Sequence, residues 1–190
     1  MIKICKPFKN AKTWHISQPF GVNPQSYQPD GHVGVDWANG RKGTWLVSPV
    51  KCRVIKVVGA ISLTEGSEIE IRRGYGIVLE SLVDVNTFYL HWHCNPVFPV
   101  SEGDFVDQGQ RVARMTNSGY VFHAGVYVEI KERLGTNKGV HTHFEGYHLD
   151  NGKKVYFDTT PLIDWSIKIP DKGILVAISN VIAKIIKLLK

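Results

Sequence analysis

The chain has 190 residues, 43% of them hydrophobic and 21% charged, the balance of a folded domain with its own core, which excludes a disordered chain. Its three cysteines, Cys5, Cys52 and Cys94, are too few and too scattered for a disulfide framework or a thiolate zinc finger. The net charge of +6 is uneven: residues 166–190 hold five Lys against one Asp, and the rest is nearly neutral, without the basic patch and interleaved aromatics of a nucleic-acid partner.

In chain order, residues 1–17 read as an N-terminal extension. Met1 to Trp14 carry Lys3, Lys6, Lys9 and Lys12 but no apolar run before a small-residue cleavage site, so no secretory signal is expected. The first chemistry comes at Gly31-His32-Val33-Gly34-Val35-Asp36. The Val-Gly-Val between His32 and Asp36 favours a strand over a helix, which puts His32, Gly34 and Asp36 on one face. Short Val/Ile/Tyr/Phe-rich runs then predict strands at Leu46–Val50, Arg53–Val58, Ile69–Arg72, Ile77–Leu82 and Thr87–His91. Cys52 and Cys94 sit in such runs and read as buried small hydrophobes; a Cys–His protease built on Cys94 and His93 has no other support. Further strands are predicted at Val126–Ile130 and Val140–Gly146, the second bearing His141-Thr142-His143-Phe144-Glu145 with His141, His143 and Glu145 on one face.

These elements predict a mainly β chain: a single antiparallel β-sheet or β-sandwich-like catalytic domain over 18–165, followed by a C-terminal amphipathic α-helix over 173–190. In that tail Ile174, Leu175, Ile178, Val181, Ile182, Ile185, Ile186, Leu188 and Leu189 fill one helical face, opposite Asn180, Lys184, Lys187 and Lys190. At about 1.5 Å per residue the segment spans roughly 25 Å, short of a bilayer core of about 30 Å. Two roles stand open for it: self-association or docking on the domain, and interfacial binding to an anionic membrane.

The histidine segments supply imidazoles and a carboxylate at metal-ligand spacing, with imidazole left over. That inventory suits a catalytic zinc site, which takes three protein ligands and keeps one position open. Tyr89-Leu90-His91-Trp92-His93 adds further imidazole on a predicted strand, as ligand or general base.

From about Phe20 to Asp164 the chain resembles the lysostaphin-type (LytM-like) zinc endopeptidases, which cut peptidoglycan peptides. The likeness is carried by Gln18-Pro19-Phe20-Gly21, Gly31 to Ala38, Gly43-Thr44, Gly74 to Val78, Tyr89-Leu90-His91, Gly103 to Val106, Gly109-Gln110, Asn117-Ser118-Gly119 and His141 to Glu145, in that order. The resemblance implies one Zn2+ per chain held by His32, Asp36 and His143, with His91 and His141 as the unligated catalytic histidines. His91 is chosen because Tyr89 stands two residues before it, as in the family's Tyr-x-His segment; His93 has no counterpart there and reads as a surface or supporting histidine. Zinc in such a site lowers the pKa of water toward about 7 and acts as a Lewis acid. His141 and His91 divide proton transfer and oxyanion stabilisation between them, in an order the sequence leaves open. Glu145 reads either as orienting a ligand or as an ordinary strand carboxylate.

One region departs from the pattern. Residues Tyr120 to Gly139 intervene before the His-x-His strand, and they are expected to form part of the cleft wall, with His123 a solvated loop histidine. The expected substrate is bacterial peptidoglycan peptide, and the missing export signal points to a phage-type lysin or virion component. Two other classes compete: a LytM-like domain that only binds peptides or regulates, which substituted ligands would mark, and a lipoyl-type carrier suggested by Gly103 to Gln110. The carrier's modified lysine turn is absent.

Overall fold

A computed structural model of the chain describes residues 2–9, 13–22, 31–59, 72–133 and 135–170. The protein is mainly β, and its body is one antiparallel sheet. In spatial order the strands are β1 (His15–Gln18), β2 (Gly34–Ala38), β11 (Thr142–Asp150), β6 (Thr87–Trp92), β5 (Gly76–Ser81), β4 (Cys52–Val58) and β7 (Phe105–Val106). A further strand, β12 (Lys153–Tyr156), forms a hairpin with β11. A separate antiparallel ribbon joins β3 (Trp45–Val47) to β8 (Arg111–Arg114).

The register of the central strands decides what each side chain does. His143 lies opposite Asp36 on β2 and Trp92 on β6, whereas Phe144 lies opposite Val35 and His91. Side chains alternate across a strand, so the first set shares one face and the second set the other. Val35, Trp37, Tyr89 and Phe144 line the core face, against Leu46, Val112, Ala113 and Met115 from the ribbon side. Ile4 and Phe8, from the expected N-terminal extension, are also buried in this core. Each such large side chain, fully buried, stabilises the fold by about 1.5–3 kcal/mol. The opposite face carries a smaller cluster of Val58, Leu90, Trp92 and Tyr147.

The expected strands appear with small changes of boundary. The exception is Val126–Ile130, where the chain forms a hairpin of β9 (Phe122–His123) and β10 (Val126–Tyr127) and then a short helix, α1 (Ile130–Arg133). The reason is local. Ala124 and Gly125 both have positive φ, 51° and 78°, the geometry of a tight two-residue hairpin turn. The expected strand at Ile69–Arg72 lies largely outside the described residues, and the expected helix at 174–190 wholly outside them. Among the described residues no helix is long and apolar enough to cross a membrane.

Candidate metal centre

Three side chains converge on this face, His32 from the loop before β2, Asp36 from β2 and His143 from β11. The candidate ligand atoms of His32, Asp36 and His143 lie within 4.8 Å of one another. His143 Nδ1 is 2.9 Å from His32 Nε2 and 2.8 Å from Asp36 Oδ1, and His32 Nε2 is 3.3 Å from that same oxygen. Asp36 and His143 are brought together by the β2–β11 pairing, and His32 by the loop before β2, fixed through Gly21 N–H to His32 O and His32 N–H to Val22 O. Gly34 is needed in between: a Cβ there would stand 2.7 Å from His143 Nε2. The imidazole therefore packs directly on the β2 backbone.

The two rings are also fixed in their tautomers. Nδ1–H of His32 donates to the Pro19 carbonyl at 3.0 Å, and Nε2–H of His143 donates to Glu145 Oε1 at 3.1 Å. Each bond leaves the other nitrogen with its lone pair, and both lone pairs face the Asp36 carboxylate. Acceptor atoms this close require a proton or a cation among them. Two neutral imidazoles and a carboxylate, each oriented by an outer partner, make a donor set that fits zinc. Without a cation, protons serve. Burial alone would lower the His143 pKa, but its bonds to Asp36 and Glu145 outweigh that and raise it to about 9. Burial disfavours the Asp36 carboxylate, yet His141, His143 and His32 hold it well below the usual range. Glu145 is likewise pushed up by burial and brought below its ordinary value by His143. Of the two readings left open for Glu145, the geometry is that of a group orienting a ligand.

The other histidines divide between the two faces of the sheet. His141 stands beside the centre, with Nδ1 bonded to Gly139 O at 2.8 Å and Nε2 3.7 Å from Asp36 Oδ2. His91 is not brought to this group. It points into the core, stacks on Phe144 with centroids 4.9 Å apart, and bonds Val47 O through Nε2 at 3.1 Å. Burial brings its pKa down to about 4, against a partial lift from the Val47 carbonyl. His93 stands in the position expected of His91. It is buried rather than on the surface, its ring centroid is 4.3 Å from that of His141 and 6.4 Å from that of His143, and Nδ1 donates to Ser118 O at 2.6 Å. Burial, then the neighbouring His141, hold it well below the ordinary histidine value. Strict alternation would have put His93 on the same face as His91. Its left-handed backbone, φ 60°, just past the end of β6, turns it to the other.

No protein-family model matches the sequence, and no curated protein matches it by sequence. Solved structures do match it in shape. LytU superposes with a TM-score of 0.54 at 19% identity, over 80% of this chain and 86% of that one. The catalytic domain of the antimicrobial peptidase lysostaphin from Staphylococcus simulans gives a TM-score of 0.55 at 18% identity, over 78% of this chain and 90% of that one. A zinc-containing peptidase from Vibrio cholerae gives 0.54 at 19% identity, covering 89% of this chain but 41% of that longer protein. The chain has the lysostaphin-type peptidase fold.

Within this lysostaphin-type fold, the segment Tyr120–Gly139 is tied to the site at its root. The Arg133 guanidinium donates to the carbonyls of Asn117 and Gly119, Asn117 Nδ2 donates to Lys138 O at 2.8 Å, and Gly139 O receives His141. Its hairpin projects outward with Phe122, Val126 and Tyr127 exposed, and His123 is exposed on it. All three cysteines are free and buried, and burial raises each thiol pKa, that of Cys52 to about 11. A thiolate nucleophile at Cys94 has no support in such surroundings.

Proposed function

We propose that this chain is a zinc-dependent endopeptidase that hydrolyses peptide bonds in bacterial peptidoglycan. The observation that carries the reading is the convergence of His32 Nε2, Asp36 Oδ1 and His143 Nδ1, with both tautomers set by Pro19 and Glu145 and two further imidazoles alongside. The same fold in lysostaphin and in a zinc-containing peptidase supports it.

His32, Asp36 and His143 would hold the ion. When bound, zinc supplies Lewis acidity, lowering the pKa of water toward about 7 and polarising a peptide carbonyl. His93 and His141 then do the proton work. His93 has Nδ1 committed to Ser118, which leaves Nε2 as an acceptor; His141 has Nδ1 committed to Gly139 and Nε2 turned to the centre. The pair takes the proton of the attacking water and returns it to the leaving amine, and the imidazole not engaged in transfer donates to the tetrahedral oxygen. Glu145 keeps His143 in register throughout.

The test is metal content and cleavage together. Purified protein should bind one zinc per chain and release muropeptides from sacculi, read by mass spectrometry. His32→Ala and Asp36→Ala should lose both, because two remaining ligands hold the ion poorly. Failure to bind zinc after reconstitution, or a zinc-loaded protein inert on sacculi of every cell-wall type, rejects the reading.

A further inference from the structure

The sheet face next to the metal ligands carries a cation that the proposed mechanism does not use. Trp92 lies beside His143 across the β11–β6 ladder, and the Arg73 guanidinium sits over its indole, 5.2 Å from the ring centroid. Glu145 is 3.8 Å from Arg73 and is already bonded to His143 at 3.1 Å. An arginine placed to neutralise Glu145 would make paired bonds of about 2.7–2.9 Å. Arg73 makes no such fork with it; it shares one hydrogen bond with Tyr156, and its side chain remains 28% exposed, with donors left over for a ligand. Stacking fixes the plane of the guanidinium, which has five donors, and spares much of the cost of ordering it when a ligand arrives. Further along the same face, Lys154 stands over Tyr147 at 4.5 Å. His143, Glu145 and Tyr147 follow one another at alternate positions of β11, so these cations border a strip that begins at the metal ligands.

We propose that Arg73 is a specificity-determining residue: its guanidinium holds a free carboxylate of the substrate next to the bond that is cut. This rests on the peptidase reading above and narrows it to an acidic peptide rather than a neutral glycine-rich bridge. A glycine bridge offers the guanidinium no partner and covers it at the expense of its hydration, so the residue selects by rejection as well as by attraction.

The experiment uses zinc-loaded full-length protein and two cross-linked stem-peptide dimers identical except that the carboxylates near the cross-link are free in one and carboxamides in the other. The wild type should cleave the free acid with a kcat/KM roughly ten- to a hundredfold higher. Arg73→Gln should abolish that preference, raising KM for the acid and, with no guanidinium left to be covered without a partner, lowering KM for the carboxamide; its circular dichroism spectrum and zinc content report correct folding. Arg73→Lys, which keeps charge but loses the fork, should fall between. Equal cleavage of both dimers by the wild type, or equal loss on both in Arg73→Gln, overturns the proposal. If neither dimer is cleaved, equilibrium binding of the same two dimers decides: a preference for the acid lost in Arg73→Gln upholds Arg73 and rejects only the hydrolase reading, and no preference rejects Arg73.

Discussion

Replacing His91 and His93 separately by alanine should give variants that differ in hydrolysis: one keeps it and the other loses it. His91 has no exposed surface, stacks on Phe144, and bonds Val47 O and, at 3.4 Å, Thr142 Oγ1. Truncating a buried side chain of this size costs about 2–5 kcal/mol through the cavity, and an orphaned buried acceptor such as Val47 O costs about 1–3 kcal/mol. The two overlap, so roughly 3–5 kcal/mol is expected for His91→Ala, a large part of a typical total of about 5–15 kcal/mol. With a urea slope of about 1–3 kcal/mol/M, the unfolding midpoint should fall by more than about 1 M. The folded fraction should still bind zinc and still hydrolyse. His93→Ala also empties a buried place and strands Ser118 O, so its midpoint should fall as well; it should keep its zinc but lose hydrolysis by about a hundredfold or more. Urea titration, zinc content and peptide cleavage on both variants decide it. The reasoning fails if His91→Ala is stable within about 1 kcal/mol and inactive while His93→Ala cleaves normally.

Other expectations follow from the same surroundings. The folded-state pKa of His91, about 4, lies below its ordinary 6.5, so the unfolded chain binds this proton first. Acid therefore favours unfolding: stability should fall by about 3 kcal/mol as pH drops from 6.5 to 4, and His91→Phe should flatten that part of a denaturation-versus-pH curve. Glu145→Gln should keep the fold but weaken zinc roughly ten- to a hundredfold, measured by competition with a chelator, since it disturbs the His143 tautomer; unchanged affinity would return Glu145 to an ordinary strand carboxylate. Gly34→Ala should displace the His143 ring and strain the β2–β11 pairing at Phe144 O, lowering zinc occupancy and thermal stability together, as read by metal analysis and thermal denaturation.

Residues that act through periodicity were readable from the sequence. The alternation in His141-Thr142-His143-Phe144-Glu145 puts three polar groups on one side and Phe144 in the core, and β11 has that arrangement. The Val-Gly-Val between His32 and Asp36 marks β2, although the strand starts only at Gly34. What periodicity could not carry is a change of backbone hand. Tyr89, His91 and His93 are spaced by two, so the Tyr-x-His interval and the His-x-His interval look alike, and the left-handed φ of His93 has no signature in its residue type. A weaker signal was available: Asn95-Pro96 stops the strand just beyond His93, and functional groups gather where strands end. The partners of Ile4 and Phe8 were equally hidden. Their burial depends on contacts such as the Ile4–Ile163 bridge and the Phe8–Leu46 bridge, which no local pattern announces.

The segment Tyr120–Gly139 is clamped at its root, and its tip is exposed. Arg133 and Asn117 lock the base, while Ala124 and Gly125 at the tip are exposed and a Cβ at Gly125 would meet open space. A foreign loop spliced between those two residues would lengthen an outward-pointing turn without pulling on His141. The hairpin is thus a natural grafting point, where a cell-surface-binding peptide or a fluorescent label can be displayed with the candidate ligand set left as it is.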